Sequence, residues 1–216
     1  MTKFLYNNKK KKKNMKFIKF ILAVVLSFFV VGCGDEQKSV VESAKFEPFK
    51  TGEKIVLKSV VGNEITLVRT EKGFKLDGSN KILMLDIFGT YCEPCKAEAP
   101  HLMDFSMKNS ENFMLVGLIH FENITDKEII ENFVKKYNAY YFIANSSQNE
   151  RIVKQILSDI DYKRALSIPF KVVFKDGVYQ TLTDINDNDP KGVKYYLGQV
   201  STAVITKDFD RIQNGN

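Results

Sequence analysis

Two cysteines three residues apart carry the clearest chemistry in this sequence. They lie in Cys92-Glu93-Pro94-Cys95, where a predicted helix begins that runs to about Lys108. Cysteines at i and i+3 on one helical turn share a face, and their Cα atoms are close enough for a disulfide. Free backbone N–H groups and the positive end of the helix dipole favour a thiolate at the first cysteine. The spacing predicts redox chemistry, with Cys92 as the attacking thiol and Cys95, one turn deeper, as the resolving thiol.

Two other uses of a C-x-x-C pair have less support. Half a zinc ribbon has the same spacing, but zinc needs two more ligands and the sequence has no second cysteine pair. The two histidines, His101 and His120, lie at no familiar ligand spacing. A purely structural disulfide across so short a loop would stabilise the fold little. We therefore expect no metal and no cofactor apart from the redox-active disulfide itself.

The elements that would position the cysteines alternate between strands and helices. Lys81 to Phe88, just before the pair, is a near-continuous apolar run of the kind found in central buried strands. Other helices are predicted from a capping box at Thr125, from Asn149 and from about Ser201. The remaining predicted strands are 55–61 and 64–69, which form a hairpin, then 113–121, 140–144, 171–174, 177–182 and 193–197. This order predicts one α/β domain with a three-layer sandwich.

Residues 1–32 are predicted to be a secretory signal and not part of the fold. Two lysines after Met15 precede an apolar run of about a dozen residues, which is short for a membrane span. The end of this run, Val30-Val31-Gly32-Cys33, resembles the lipobox of bacterial lipoproteins. That resemblance implies cleavage before Cys33 and attachment of lipid to its sulfur. The alternative is an uncleaved N-terminal anchor with a chance cysteine.

Either alternative predicts a domain outside the cytoplasm, on the periplasmic side of a bacterial membrane and tethered to it. The polar stretch 33–50 would be a flexible tether, and 51–216 would be the folded domain. Charge fits this division. The chain has 32 basic and 26 acidic residues, but eight of the lysines lie in 1–32, which leaves 24 basic against 26 acidic residues. The remaining chain is slightly acidic, so no nucleic-acid partner is expected.

The sequence around the cysteines resembles the thioredoxin superfamily. Leu85 to Pro100 reads L-D-I-F-G-T-Y-C-E-P-C-K-A-E-A-P and is similar to the extracytoplasmic ResA/TlpA branch, whose pattern is F-W-G/A-T-W-C-x-P-C-K-x-E-x-P. Tyr91 replaces the usual Trp before the first cysteine. About 75 residues downstream, Ser167 to Gly177 resembles the cis-proline loop and the hairpin that follows it. The resemblance implies a thioredoxin fold, a three-layer α/β/α sandwich with a mixed central sheet and an added N-terminal β-hairpin.

The resemblance also implies roles for individual residues. Pro169 would be the cis-proline that faces the disulfide, and substrate would contact Ile168 and Pro169 together with Tyr91, Glu93 and Pro94. Glu93, between the cysteines, would make a thiolate less stable by like charge.

Two further carboxylates are candidates for the catalytic machinery. Asp86 matches the buried carboxylate with which thioredoxins move protons to and from the second cysteine, although the ResA branch often has a non-ionisable residue there. The alternative is an Asp at a strand end that points to solvent. Glu98 matches a glutamate that ResA/TlpA-like proteins keep beside the active site, and its alternative is an ordinary solvated helix carboxylate.

Together these features predict a membrane-tethered thiol-disulfide oxidoreductase. The resemblance implies a reductant that a membrane thiol relay keeps reduced and whose client is the C-x-x-C-H of apocytochrome c during cytochrome c maturation. A general periplasmic disulfide reductase or oxidase of folding proteins is the first alternative. Oxidases of that type usually carry Pro-His between the cysteines. A copper(I)-binding chaperone is the second alternative, but on this fold such proteins use C-x-x-x-C plus a His.

Overall fold

The computed structural model describes residues 46–215, and its centre is a six-stranded sheet built from the apolar runs of the sequence. All seven residues of β4 are buried, as expected for a strand covered on both faces. The strand order is β6-β5-β4-β7-β8, with β9 paired to β7. Strands β5 and β6 run parallel to their neighbours, whereas β7 is antiparallel to β4, so the sheet is mixed. The strands are β4 Ile82–Phe88, β5 Phe113–Ile119, β6 Phe142–Ala144, β7 Phe170–Lys175, β8 Val178–Tyr179 and β9 Tyr196–Leu197.

Helices cover both faces of this sheet, which confirms the predicted α/β/α sandwich. They are α1 Glu93–Lys108, α2 Asp126–Ile129 with a π-helical continuation over Ile130–Val134, α3 Asn149–Asp159 and α4 Thr202–Asn214. Alternate residues of β4 point to opposite faces. Its odd-numbered residues share an apolar cluster with α3. Ile82 and Met84 pack with α1 and α4, and Phe88 packs with the two cysteines. Asp86, between Met84 and Phe88, therefore lies on the face that α1 covers.

Short polar signals set where several elements begin and turn. Thr125 and Glu128 form the predicted capping box at the start of α2. The turn between β7 and β8 lies at Asp176-Gly177, as predicted, and both residues have positive φ. A Cβ at Gly177 would lie 2.4 Å from Thr70 Cγ2, so this turn needs glycine for space as well as for conformation.

A separate antiparallel sheet precedes the central one. The predicted hairpin is present as β1 Lys54–Lys58 and β2 Glu64–Thr70, and a third strand, β3 Gly73–Leu76, extends it. The sequence prediction missed β3, because four residues between two turns are too few to show a strand period. Side chains from this sheet pack with α3 and the odd-numbered face of β4. The expected β-hairpin is thus a three-stranded sheet that completes one side of the core.

The packed domain also begins earlier than the predicted boundary at residue 51. Phe49, assigned to the tether from sequence, is buried, and its backbone N–H donates to Gln155 Oε1 at 2.8 Å. The Arg151 guanidinium lies 3.7 Å from the centroid of the Phe49 ring. An apolar side chain within a polar stretch was the signal for this contact. The predicted signal at 1–32 and the lipidation site Cys33 lie outside the described residues. None of the helices within 46–215 is long and apolar enough to cross a bilayer.

Candidate active site

Cys92 and Cys95 form a disulfide at the start of α1. Their Cα atoms are 5.2 Å apart, within the normal range for a bridge. Cys92 is the N-cap residue, and its Sγ accepts a hydrogen bond from the Cys95 backbone N–H at 3.3 Å. The helix end therefore already directs an N–H group at the sulfur that would carry the thiolate. Cys92 is 7% exposed and Cys95 is 4% exposed, so it is position in the helix, more than burial, that distinguishes the two sulfurs.

The turn before Cys92 is held by a carboxylate from the loop that follows β5. The backbone N–H of Thr90 donates to Glu122 Oε1 at 2.6 Å, and its hydroxyl donates to Oε2 at 2.7 Å. Sequence reasoning did not single out Glu122, which follows a predicted strand with no local motif. Tyr91, the next residue along the turn, is 55% exposed and is available to an incoming protein.

The loop predicted to face the disulfide adjoins the same turn. The Ile168–Pro169 peptide bond is cis, as the resemblance implies. Ile168 packs against the apolar cluster that contains both cysteines. A Cβ at Gly89 would lie 2.7 Å from the Tyr91 ring and 3.2 Å from Ile168 Cδ1, so glycine lets both side chains approach the backbone. The structure thus brings Tyr91, Ile168 and the cysteine pair into one region.

Glu93 and Pro94 lie on the exposed outer surface of the first turn of α1. Pro94 occupies an early helical position where its missing N–H costs no hydrogen bond. Glu93 forms an ion pair with Lys96, with 2.6 Å between Oε1 and Nζ. This cation offsets the like-charge effect on Cys92 that the sequence predicted for Glu93.

Asp86 is buried beneath this region, so the alternative of a solvent-facing Asp is wrong. Its residue exposure is 3%, and in register it lies opposite Gly117 on β5 and Lys171 on β7. Burial raises the pKa of Asp86 from 3.8 to about 7 because a carboxylate loses hydration there. The ammonium of Lys171 opposes this rise in pKa, and the Glu98 carboxylate adds to it. Asp86 can therefore exchange a proton near neutral pH.

Glu98 is also buried, with an exposure of 1%, so the alternative of a solvated helix carboxylate is wrong as well. Its Oε1 accepts a hydrogen bond from the Val200 backbone N–H at 2.9 Å. Its Oε2 lies 2.5 Å from Lys171 Nζ. Glu98 thus connects the helix that carries the cysteines to strand β7.

Lys171 is the main residue that sequence reasoning missed. It is fully buried, and its Nζ lies 3.8 Å from Asp86 Oδ1 in addition to its contact with Glu98. Its signal was a lysine inside an apolar strand, two residues after the predicted cis-proline. That signal becomes informative only once β7 is paired with β4, which places Lys171 opposite Asp86.

The fold and site define a thioredoxin-like protein with a redox-active cysteine pair, and comparison with known proteins agrees. The chain is 28% identical over 141 residues to the thiol-disulfide oxidoreductase ResA of Bacillus cereus, covering 65% of this chain and 75% of that protein. The figures are the same for ResA of Bacillus thuringiensis subsp. konkukian. Among solved structures, StoA of Bacillus subtilis aligns with a TM-score of 0.49 and 15% identity, over 73% of this chain and 97% of that one. No protein-family model matches the chain.

The chain is thus similar in sequence to ResA proteins, and the described residues carry a cysteine pair at a helix start beside a mixed sheet. It is a thiol-disulfide oxidoreductase, and its C-x-x-C motif is Cys92 to Cys95.

Proposed function

We propose that this oxidoreductase is a reductant of protein disulfides on the outer side of a bacterial membrane, to which lipid on Cys33 tethers it. Its client would be the C-x-x-C-H of apocytochrome c, and a membrane thiol relay would restore its dithiol. The observation that carries the proposal is the Cys92–Cys95 disulfide at the start of α1, beside the cis-proline loop. The lipobox-like sequence and the similarity to ResA support the location and the client class.

The proposed reaction passes two electrons to the client. The Cys92 thiolate attacks one sulfur of the client disulfide, so a Cys92–client bond forms and the client S–S bond breaks. The displaced client thiolate takes up a proton. Cys95 then loses its proton and attacks the Cys92 sulfur, which releases the second client thiol and leaves the Cys92–Cys95 disulfide. Tyr91, Ile168 and Pro169 would contact the client on either side of Cys92.

The charges beneath the cysteines favour reduction over oxidation of clients. A strong oxidant in this superfamily stabilises its reduced form, so its thiolate is favoured. In this protein two carboxylates, Asp86 and Glu98, share one ammonium, and Glu98 lies one helical turn after Cys95. When Asp86 is deprotonated, these three groups carry a net negative charge, and such a charge makes a nearby thiolate less stable. The disulfide is correspondingly harder to reduce, as a donor of electrons requires.

The reduction potential of the Cys92–Cys95 couple tests the direction. Equilibration with dithiothreitol or glutathione buffers, followed by alkylation and mass measurement, gives the oxidised fraction at each buffer potential. We expect a value nearer the roughly −270 mV of thioredoxins than the roughly −120 mV of strong oxidases. A potential above about −150 mV would overturn the reductant assignment and favour the general oxidase of folding proteins.

The client is tested with an oxidised peptide that contains C-x-x-C-H and a control peptide in which Ala replaces the His. The reduced protein should convert the first peptide to its dithiol. Equal rates with both peptides would support a general disulfide reductase in place of the cytochrome client. A Cys92→Ser variant serves as the inactive control for both peptides.

A further inference from the structure

An open groove lies at the carboxyl ends of β5 and β6, where α3 begins. Its volume is about 740 Å³, within the roughly 300–1,000 Å³ of clefts that hold ligands. We call it the side groove, and its walls include His120, Phe121 and Glu122 after β5, Val153 and Leu157 of α3, and Leu166. Asn149 Nδ2 donates to the carbonyl oxygens of Ile119 at 3.0 Å and Ala144 at 2.8 Å, so the two strand ends that border the groove are fixed.

The side groove is continuous with the region proposed to contact a client. Glu122 lines the groove and accepts a hydrogen bond from the Thr90 backbone N–H at 2.6 Å, and Thr90 is two residues before Cys92. On the other side, Leu166 lies two residues before Ile168, where the cis peptide bond begins. Two residues of chain span at most about 7 Å, so the groove lies about two to four extended residues from the client cysteine that is attacked.

Phe121 has a backbone conformation that aromatic residues rarely adopt. Its φ is 62°, in the left-handed region, where a Cβ crowds the backbone. The other non-glycine residues with positive φ in 46–215 are of the two types that tolerate this region best, namely Asn138, Asp161, Asp176 and Asn188. Phe121 is also 54% exposed, so core packing does not account for it. Backbone strain of this kind is concentrated at functional sites.

The ionisable groups that line the side groove are already engaged or uncharged. Glu150 and Lys154 of α3 form an ion pair with 2.6 Å between Oε1 and Nζ. Both oxygens of the Glu122 carboxylate accept hydrogen bonds from Thr90. Burial lowers the pKa of His120, so its imidazole is neutral at pH 7. An anionic lipid surface would find no unpaired cation among the lining residues, all of which the structure describes.

We infer that the side groove is a client-binding subsite that takes an uncharged apolar side chain, aromatic or leucine-sized, within about four residues of the reacting cysteine of the client. Phe121, Leu157 and Leu166 would supply the apolar contacts. Such a subsite would distinguish clients by the sequence near their disulfide, which the cysteine pair alone does not do. The inference rests on the proposed function, because it takes the clients to be polypeptides with disulfides.

Matched disulfide peptides test for the subsite. Each pair differs only in having Phe or Ser at one position, about two to four residues before or after the cysteines. Reduced protein is mixed with each peptide below saturation, and the second-order rate of its oxidation is measured. At the position that reaches the groove, the Phe peptide should react about ten-fold faster, because its ring is partly buried. Equal rates at every position would overturn the inference, whereas wild-type protein that no peptide disulfide oxidises would overturn the proposed function.

Phe121→Asn separates binding by the side groove from support of the fold. Asn already adopts this backbone conformation at Asn138 and Asn188, but it lacks the ring. With each rate divided by the rate of the same variant with glutathione disulfide, the preference for Phe peptides should fall to about two-fold. The urea midpoint should stay the same or rise, because strain at this position is relieved. Leu166→Ala should lower the preference in the same way, and it decides the outcome if Phe121→Asn does not fold.

Tyr140→Ser is the matched control. Tyr140 is also an exposed aromatic residue, at 59%, but it precedes β6 and so lies at the opposite end of that strand from the groove. Its preference for Phe peptides should equal that of the wild type. A preference that survives in both groove variants, or a lower urea midpoint for Phe121→Asn, would overturn the inference. So would binding to phosphatidylglycerol vesicles, or dimerisation in sedimentation, that depends on Phe121 without any peptide preference.

Discussion

Replacing Asp86 with Asn should make stability respond to pH in a way that isolates this one carboxyl group. Asn keeps nearly the same volume but carries no charge, so the buried site no longer titrates. The experiment uses the oxidised protein, in which the Cys92–Cys95 disulfide removes both thiols from the titration. His120 also has a displaced pKa, lowered by burial, and its contribution cancels when each variant is compared at the same pH.

The direction in which stability changes with pH follows from the raised pKa of Asp86. The folded protein holds this proton up to a pKa of about 7, whereas the unfolded chain releases it near the ordinary value of 3.8. Between these values the folded state binds more protons than the unfolded state, so raising the pH lowers the free energy of unfolding. Between pH 5 and pH 8 the wild type should lose about 2–3 kcal/mol relative to Asp86→Asn.

Urea unfolding of both proteins at several pH values measures this difference. A difference in unfolding free energy that is the same at every pH reports only how well the amide fits beside Lys171. The observable is how the difference in unfolding free energy between the two proteins changes with pH. That change should extend from near pH 4 to about pH 7 and then level off. A difference that varies by less than about 0.5 kcal/mol over that range would show that Asp86 does not carry a raised pKa.

Three other changes have expected outcomes. Cys95→Ala should trap clients as mixed disulfides, detectable on non-reducing gels, whereas Cys92→Ala should trap few; the reverse pattern would exchange the roles of the two thiols. Cys33→Ser should abolish lipidation and release the protein from the membrane fraction, and an unchanged mass with unchanged membrane partition would rule out Cys33 as the anchor. Gly117→Ala should destabilise the fold by about 1–3 kcal/mol in urea unfolding, because its Cβ would lie 2.7 Å from the buried Phe88 ring. An unchanged urea midpoint would show that the Phe88 ring moves aside without cost.

The sequence was most informative where a local pattern determines structure. Strand β4 and helix α1 were predicted to within a residue, because an unbroken apolar run and a C-x-P-C helix start need no distant partner. The capping box of α2 was also predicted correctly, because its two residues lie within one turn of each other. The end of α2 differs, since the apolar residues 129–134 keep helical spacing while the backbone widens into a π-helical turn. Side-chain spacing alone does not reveal that change.

The parts of the site that escaped prediction depend on pairing across the sheet. Asp86 and Glu98 were both candidates from the sequence, but the contact of each with Lys171, which comes from a third element, was not predicted. Glu122, which holds the Thr90 turn, lies 32 residues away along the chain. Each of these residues is polar in an otherwise apolar or unremarkable setting. Such residues can be suspected from sequence, but only the strand register shows which of them meet.

The short outer strands of the central sheet also limit how the protein can touch its clients. At one edge lies β6, with three residues, and at the other lie β8 and β9, with two residues each. The Val60 backbone N–H already donates to the Ile143 carbonyl oxygen of β6 at 2.9 Å, and the Tyr179 N–H of β8 donates to the Lys72 oxygen at 3.4 Å. Few free backbone groups remain for strand addition by an unfolded polypeptide. Contact with a protein thiol substrate is therefore directed away from these edges, and aggregation with an unfolded client is disfavoured.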